Sequence, residues 1–310
     1  MRIIALFTLF LPLTLPVSVA AQSFGGVGAR AEGMGGAFVA VADDASAVYW
    51  NPAGIATGAT FDLQVSKGRD SGVFVGAALP VLGVSYYKTR EVAGLITVSG
   101  SPDRQNGGSG EVHVRTLSTT NFGVTVVQTV APGLVLGTTA RIVRGGVDSA
   151  GASTSSASRT TVDLDAGVMV SAWDVRFGLT ARNLREPKFQ TDAGMVRVNR
   201  QFRVGAALAP RALPTGAHGP FTLAVDADLT TTPDLTGDRR TAAAGGEYWL
   251  AKGLIGVRAG VRWSTLGDSG RAVSGGLTVR LPRSLHVEGQ LTKEHESDEN
   301  EWIIGARVTF

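Results

Sequence analysis

The 310-residue sequence contains no cysteine, so no disulfide framework and no thiolate metal site hold it. Without a cysteine after the leader, a lipid-anchored lipoprotein is also excluded. Charge is scarce, at 18% of residues, and the basic side chains are scattered singly, which leaves no electrostatic footprint for a nucleic acid. The four histidines, at 113, 218, 286 and 295, have no paired metal-binding spacing. No Gly-x-Ser-x-Gly elbow occurs, and no serine, histidine and carboxylate constellation can be assembled. The stretch 107–111, Gly-Gly-Ser-Gly-Glu, lacks the lysine and helix of a phosphate loop. These absences predict no catalytic residue, no metal, no cofactor and no enzyme. Beyond the first twenty residues, no apolar run reaches the roughly 20 residues of a spanning helix.

What is present is glycine, 41 residues of it, and a positive mean hydropathy of +0.14. The chain opens with Arg2 and an apolar stretch to Ala20 that ends in small residues, the pattern of an export signal over 1–21. Cleavage is expected after Ala20 or Ala21. A retained N-terminal anchor is the alternative, opposed by Pro12 and Pro16 and by the lack of a basic stop.

From about residue 60 the chain alternates apolar and polar residues with period two, the signature of strands with unlike faces. In 162–170, Val162, Leu164, Ala166, Val168 and Val170 oppose Asp163, Asp165, Gly167 and Met169. In 257–263, Val257, Ala259, Val261 and Trp263 oppose Arg258, Gly260 and Arg262. Fifteen such segments run from 60 to 310. Two of the early short ones merge if one strand is bent, which predicts about 14 strands, an even number. Tight connections at 131–133, 173–174, 252–253 and 282–283 alternate with longer ones at 101–110, 147–158, 185–195, 231–239, 265–270 and 294–300. No long constriction loop is visible.

Alternation also suits a soluble β-sandwich. Three features favour a membrane barrel. First, the polar face carries Asp163, Asp165, Asp226, Asp228, Glu247 and Glu288 against Arg141, Arg176, Arg182, Arg203, Arg258, Arg262, Arg280 and Arg307, while the apolar face carries almost no charge. Arg or Lys in the middle of a lipid-facing wall costs about 2–4 kcal/mol. Second, Trp173, Tyr248, Trp249, Trp263 and Trp302 fall near strand ends, where aromatic girdles belong. Third, Trp302, Ile304, Ala306, Val308 and Phe310 share one face of the final strand. Trp302, Ile304, Val308 and Phe310 are expected to act as a barrel-assembly signal read by the assembly machinery. The fold class expected is therefore all-β: a transmembrane antiparallel β-barrel in the bacterial outer membrane, with outer-membrane lipid as its surroundings.

One segment departs from this pattern. Residues 22–58 contain Gly28-Ala29-Arg30-Ala31, Gly33-Met34-Gly35-Gly36-Ala37, Ala42-Asp43-Asp44-Ala45-Ser46-Ala47 and Asn51-Pro52-Ala53-Gly54. In this order the run resembles the head of the fatty-acid transporter (FadL-like) superfamily of outer-membrane barrels, most nearly its PorV/PorQ-type and TraF-like members. The stretch 177–189 resembles a mid-barrel segment of the same group. The resemblance implies a hatch folded into the lumen, hence the division 1–21 signal peptide, 22–58 hatch or plug, 59–310 barrel. On the residues themselves, Asp43 or Asp44 is expected to cap a short helix. Asn51 is expected to cap the next turn, with Pro52 at its first position and Gly54 at its end. Tyr49 and Trp50 are expected to project an apolar tip. The spacing of a calcium loop is missing around Asp43 and Asp44.

The resemblance implies two functions: transport of small hydrophobic molecules, or a non-transporting scaffold or shuttle barrel that binds an exported protein during secretion or surface assembly. The charges Asp163, Asp165, Arg176, Arg182, Asp226, Asp228, Arg258 and Arg262 are expected to form a network in the lumen that holds the hatch.

Overall fold

The computed structural model describes residues 25–69, 72–98, 111–149, 158–191, 194–209, 221–234, 237–266, 270–295 and 300–310. The expected export signal lies outside them.

Strands β1 (Asp62–Gly68), β2 (Val73–Leu79), β3 (Leu82–Val98), β4 (Glu111–Ala131), β5 (Leu134–Ser149), β6 (Arg159–Ala172) and β7 (Val175–Arg182) form the first half of a closed barrel. A small hairpin of β8 (Lys188–Thr191) and β9 (Gly194–Arg197) follows. The wall resumes with β10 (Gln201–Leu208) and β11 (Phe221–Asp228), is interrupted by the hairpin β12 (Thr232–Asp234) and β13 (Gly237–Arg239), and is completed by β14 (Thr241–Leu250), β15 (Ile255–Ser264), β16 (Ala272–Leu281), β17 (Leu285–Glu294) and β18 (Asn300–Thr309). All wall pairings are antiparallel, and β1 pairs with β18 to close the seam, giving 14 wall strands. Closure gives each of the 14 wall strands a partner on both sides, which is what lets a sheet span hydrocarbon. No helix among the described residues is long and apolar enough to cross a membrane.

Two of the early short segments, expected at 81–90 and 92–99, are one strand, β3. Its register against β4 shifts between Val92 and Gly94, a bulge that reads in the sequence as a break. Leu63, Val65, Phe122, Ile142, Val162, Leu223, Val225, Val287 and Ile304 are exposed on the outside, as a lipid-facing wall requires. Trp173 and Tyr248 sit outside toward the tight-turn end, and Trp263 and Trp302 outside toward the other. Trp249 is a correction. It lies on the face of buried Glu247 and meets the His286 ring at 6.4 Å, because neighbours in a strand point to opposite faces.

The interior is occupied by residues 25–58. This luminal segment holds helix α1 (Ala29–Gly33), helix α2 (Ala47–Trp50) and a 3-10 turn, Pro52–Thr57. Met34, Phe38, Tyr49 and Trp50 form its core together with Phe74, Tyr87, Val127, Met169 and Ala243 from the wall. It carries irregular backbone at membrane depth, which is tolerated because protein surrounds it on all sides.

Candidate functional site: the luminal segment and its wall

Three cross-strand glycine pairs on the inner wall seat the luminal segment. Gly137 faces Gly167, Gly178 faces Gly205, and Gly245 faces Gly260. Pro52–Ala53 rests on the first pair, Val39–Ala40 on the second and Met34–Gly35 on the third. A Cβ at any of the six would collide with the segment or with a neighbouring side chain. These seats receive pieces of the head motif: Asn-Pro-Ala-Gly, Ala-Phe-Val-Ala and Gly-Met-Gly-Gly. Asn51 locks the first seat to the second, since its Nδ2 donates to the carbonyls of Val39 at 2.9 Å and Val168 at 3.1 Å.

Charge holds the rest. Arg30 is fully enclosed. Its guanidinium pairs with Asp43 at 2.5 Å and Asp44 at 3.4 Å, and with wall residue Glu247 at 2.7 Å. Burial alone would push the Arg30 guanidinium down; the carboxylates of Asp43, Glu247 and Asp44 reverse this and hold it well above its ordinary value. Glu247 also accepts from Arg258 Nε at 3.2 Å, and Arg258 reaches Thr278. Asp43 further meets Arg176 at 3.6 Å, and Asp44 meets Arg307 at 3.4 Å. The acidic pair is thus bracketed by three arginines, two of them from the wall. Among the described residues, no group of three or more acidic, histidine or cysteine side chains could hold a metal ion.

A second cluster centres on Arg141. It pairs with Asp163 at 2.5 Å and Asp165 at 2.7 Å, and donates to Tyr87 at 3.0 Å and Asn121 at 2.8 Å. Arg182 lies 3.6 Å from the centre of the Tyr49 ring, and Tyr49 meets Tyr87 edge-on at 5.4 Å. This cation–π stack ties wall to luminal segment. Arg262 reaches Glu32 at 3.1 Å and Glu294 at 2.7 Å, and Arg203 holds Asp228 at 2.6 Å. Asp226 accepts the backbone N–H groups of Phe38 and Val39, both at 2.8 Å. All eight expected network residues therefore face the lumen, but they form several clusters.

The local expectations fare unevenly. Asn51 accepts from Ala53 N at 3.2 Å with Pro52 next to it, as a cap should. Asp44 accepts from the Ser46 N–H at 2.9 Å just ahead of α2, while Asp43 is committed to arginines. Gly54 does not end the turn, which runs on to Thr57; it lies instead against the Ala42 carbonyl, where a side chain has no room. Tyr49 and Trp50 form no projecting tip. Both are buried, and the Trp50 indole N–H donates to the Val27 carbonyl at 2.8 Å.

The mouth opposite the tight turns is also occupied. After β7 the chain turns inward through Asn183 and Glu186, both at positive φ. The N–H groups of Asn183 and Arg185 donate to Asp165 and Asp163. The β8–β9 hairpin follows, with Phe189 packed on Gly145 of the inner wall and clustered with Leu117, Val143, Val196 and Val198. This inward hairpin corrects the expectation that no constriction loop exists. The sequence signal was the apolar Phe189 inside the connection 185–195, with Val196 and Val198 directly after it.

Arg30 and Glu32 were not read as site residues. Their signal was two opposite charges inside the stretch 28–33, which is otherwise glycine and alanine. The glycine seats had a signal too, since Gly167 and Gly260 fall on the polar face in the alternation.

Residues 11–228 match the family described as "F plasmid transfer operon, TraF, protein". No curated protein matches the chain. The fold is similar to that of the CymD monoaromatic hydrocarbon channel, at 13% identity and a TM-score of 0.59 over 96% of this chain and 99% of that one. The P. putida toluene transporter TodX gives 12% and 0.61 over 93% and 99%, and a Pseudomonas aeruginosa FadL homologue 11% and 0.58 over 91% and 97%. At such identities the likeness is one of fold.

Proposed function

This chain belongs to the family of the F plasmid transfer operon TraF protein, and on that premise we propose that it is an outer-membrane barrel that passes small hydrophobic molecules inward past a luminal hatch, residues 22–58. The observation that carries this reading is the pair of apolar clusters along the lumen. One, around Phe189, lines the mouth, and the other, around Phe38 and Trp50, fills the middle. Both clusters are closed by their own packing, so an apolar solute would find burial there only where that packing opens. The fold likeness to hydrocarbon channels supports the same substrate class. The seats and ion pairs that hold the hatch are all non-covalent, so local release can open a path. Placement in the outer membrane draws further support from the export-signal pattern expected over 1–21 and from the Trp302, Ile304, Val308 and Phe310 face, which suits recognition by the barrel-assembly machinery.

The test is uptake of a labelled monoaromatic hydrocarbon by cells with and without the gene. Uptake falling on deletion and returning with the intact chain is expected; equal uptake in both overturns the reading.

A second reading is the PorV/PorQ-type scaffold or shuttle. It is favoured by the density of buried ion pairs around Arg30 and Arg141, more than a mobile gate needs. Recovery of an exported protein at one-to-one stoichiometry from native membranes, with hydrocarbon uptake unchanged by deletion, is the outcome that would select it.

A further inference from the structure

The outer wall carries an apolar groove of about 700 Å³ where β10, β11, β14, β15 and β16 run side by side. Its floor is unusually low. Ala244, Gly246 and Ala259 point outward there, between ridges made by Leu223 and Val225 on one side and Val261 on the other. The groove lies at hydrocarbon depth, since Tyr248 stands below it and Trp263 above it on the same two strands. An adjoining hollow of about 630 Å³, walled by Phe221, Tyr248 and Val257, continues it to the tight-turn rim.

That rim is cationic. The β14–β15 turn presents Lys252, and the β16–β17 turn presents Arg283, both exposed. The first turn is tied to the end of β16, just ahead of the second, because Arg280 N donates to the Leu254 carbonyl at 2.8 Å. Neither turn contains a carboxylate. A shallow apolar groove that ends at two exposed cations matches an amphiphile with a hydrocarbon tail and an anionic head.

We propose that this groove binds one acyl chain of an anionic glycerophospholipid, whose phosphate is held at the rim by Lys252 and Arg283. A bulk lipid tail must leave the slot half filled or pack into it, and a slot lined by Cβ atoms and bare backbone allows the closer approach. The cations then select among lipids by head group. The floor strands carry the Gly245–Gly260 seat on their other face, so the bound chain would lie one sheet thickness from Met34 and Gly35. The site is separate from the lumen and does not depend on what the lumen transports.

Native mass spectrometry of the purified barrel in mild detergent, with dioleoyl-phosphatidylglycerol or dioleoyl-phosphatidylcholine added in turn, tests the proposal. The expected result is one phosphatidylglycerol retained per barrel and little phosphatidylcholine. Filling the slot with Gly246→Leu and Ala259→Leu should lower the retained fraction about tenfold, since the groove no longer buries the chain. Ala166→Leu, on the outer face of β6, should leave it unchanged. Lys252→Gln with Arg283→Gln changes only turns and should abolish the preference for phosphatidylglycerol even if the leucine variant fails to assemble. Equal retention of both lipids by the unaltered barrel, a phosphatidylglycerol preference that survives the glutamine variant, or a second copy of the chain in place of lipid would each overturn the proposal.

Discussion

At the scale of single residues, Arg30 is the one on which most depends. It joins the two acidic residues of the luminal segment to Glu247 of the wall, with almost no access to water. Removing one partner of a buried ion pair strands the others, at about 3–5 kcal/mol. Arg30→Met is therefore expected to lower the denaturant midpoint of the folded barrel, read from its heat-modifiable migration on gels. Arg30→Met combined with Glu247→Met should recover part of the loss. The glycine seats are a second point. Gly245→Val drives a side chain into the Met34 carbonyl. Limited proteolysis should then cut within 25–58 faster than in the native chain, whereas Gly289→Ala, where a Cβ meets nothing within 4 Å, should leave the rate unchanged. The luminal charges were legible because period-two alternation assigns each side chain a face. Which carboxylate meets which arginine was not, since that depends on register across strands far apart in sequence. Asp226 illustrates the limit: its face was readable, but its bonds go to backbone N–H groups of Phe38 and Val39.

Among the elements, β18 repays a test. It pairs with both β17 and β1, and beyond its end Phe61 and Phe310 exchange backbone hydrogen bonds at 3.1 and 2.9 Å and stack their rings at 6.1 Å. Deletion of Phe310 removes that clasp from the seam. The folded band should then appear more slowly when the urea-unfolded chain is diluted into lipid vesicles, with the final spectrum little changed; an unaltered rate would deny Phe310 a part in assembly. Strand positions were legible from alternation and turn residues to within a few residues. The β3 bulge and the inward β8–β9 hairpin were not. A bulge costs one residue of register and looks like a turn, and the hairpin's apolar residues are too few to show a period. The luminal helices α1 and α2, of five and four residues, are too short for helical periodicity and were reached through the motif alone.

For the molecule as a whole, the luminal segment and the wall form one packed core rather than a pipe with a stopper. The wall alone would be a ring lined with paired glycines, with Asp226 stripped of the two backbone N–H groups that it accepts and Arg176 of its Asp43 partner. Replacing Arg258 and Arg262 together with Ala frees Glu247 and Glu32 from their wall partners, so small-solute leak through vesicle-reconstituted barrels should rise. Deleting 25–58 should raise it further, with discrete conductance steps in planar bilayers. Unchanged leak in both would mean that the interior is closed by something other than this segment. Because these pairs are buried, added salt should screen them little. The seam between β1 and β18 has one more consequence, and it concerns time. The luminal segment leads into the first wall strand, while the strand that shuts the circle is the farthest from it along the chain. A finished ring offers no side entrance for thirty or so residues of helix and turn. Making this protein is therefore closer to wrapping a parcel than to corking a bottle: the contents must be in place, or carried along, as the last fold of the wrapper comes round.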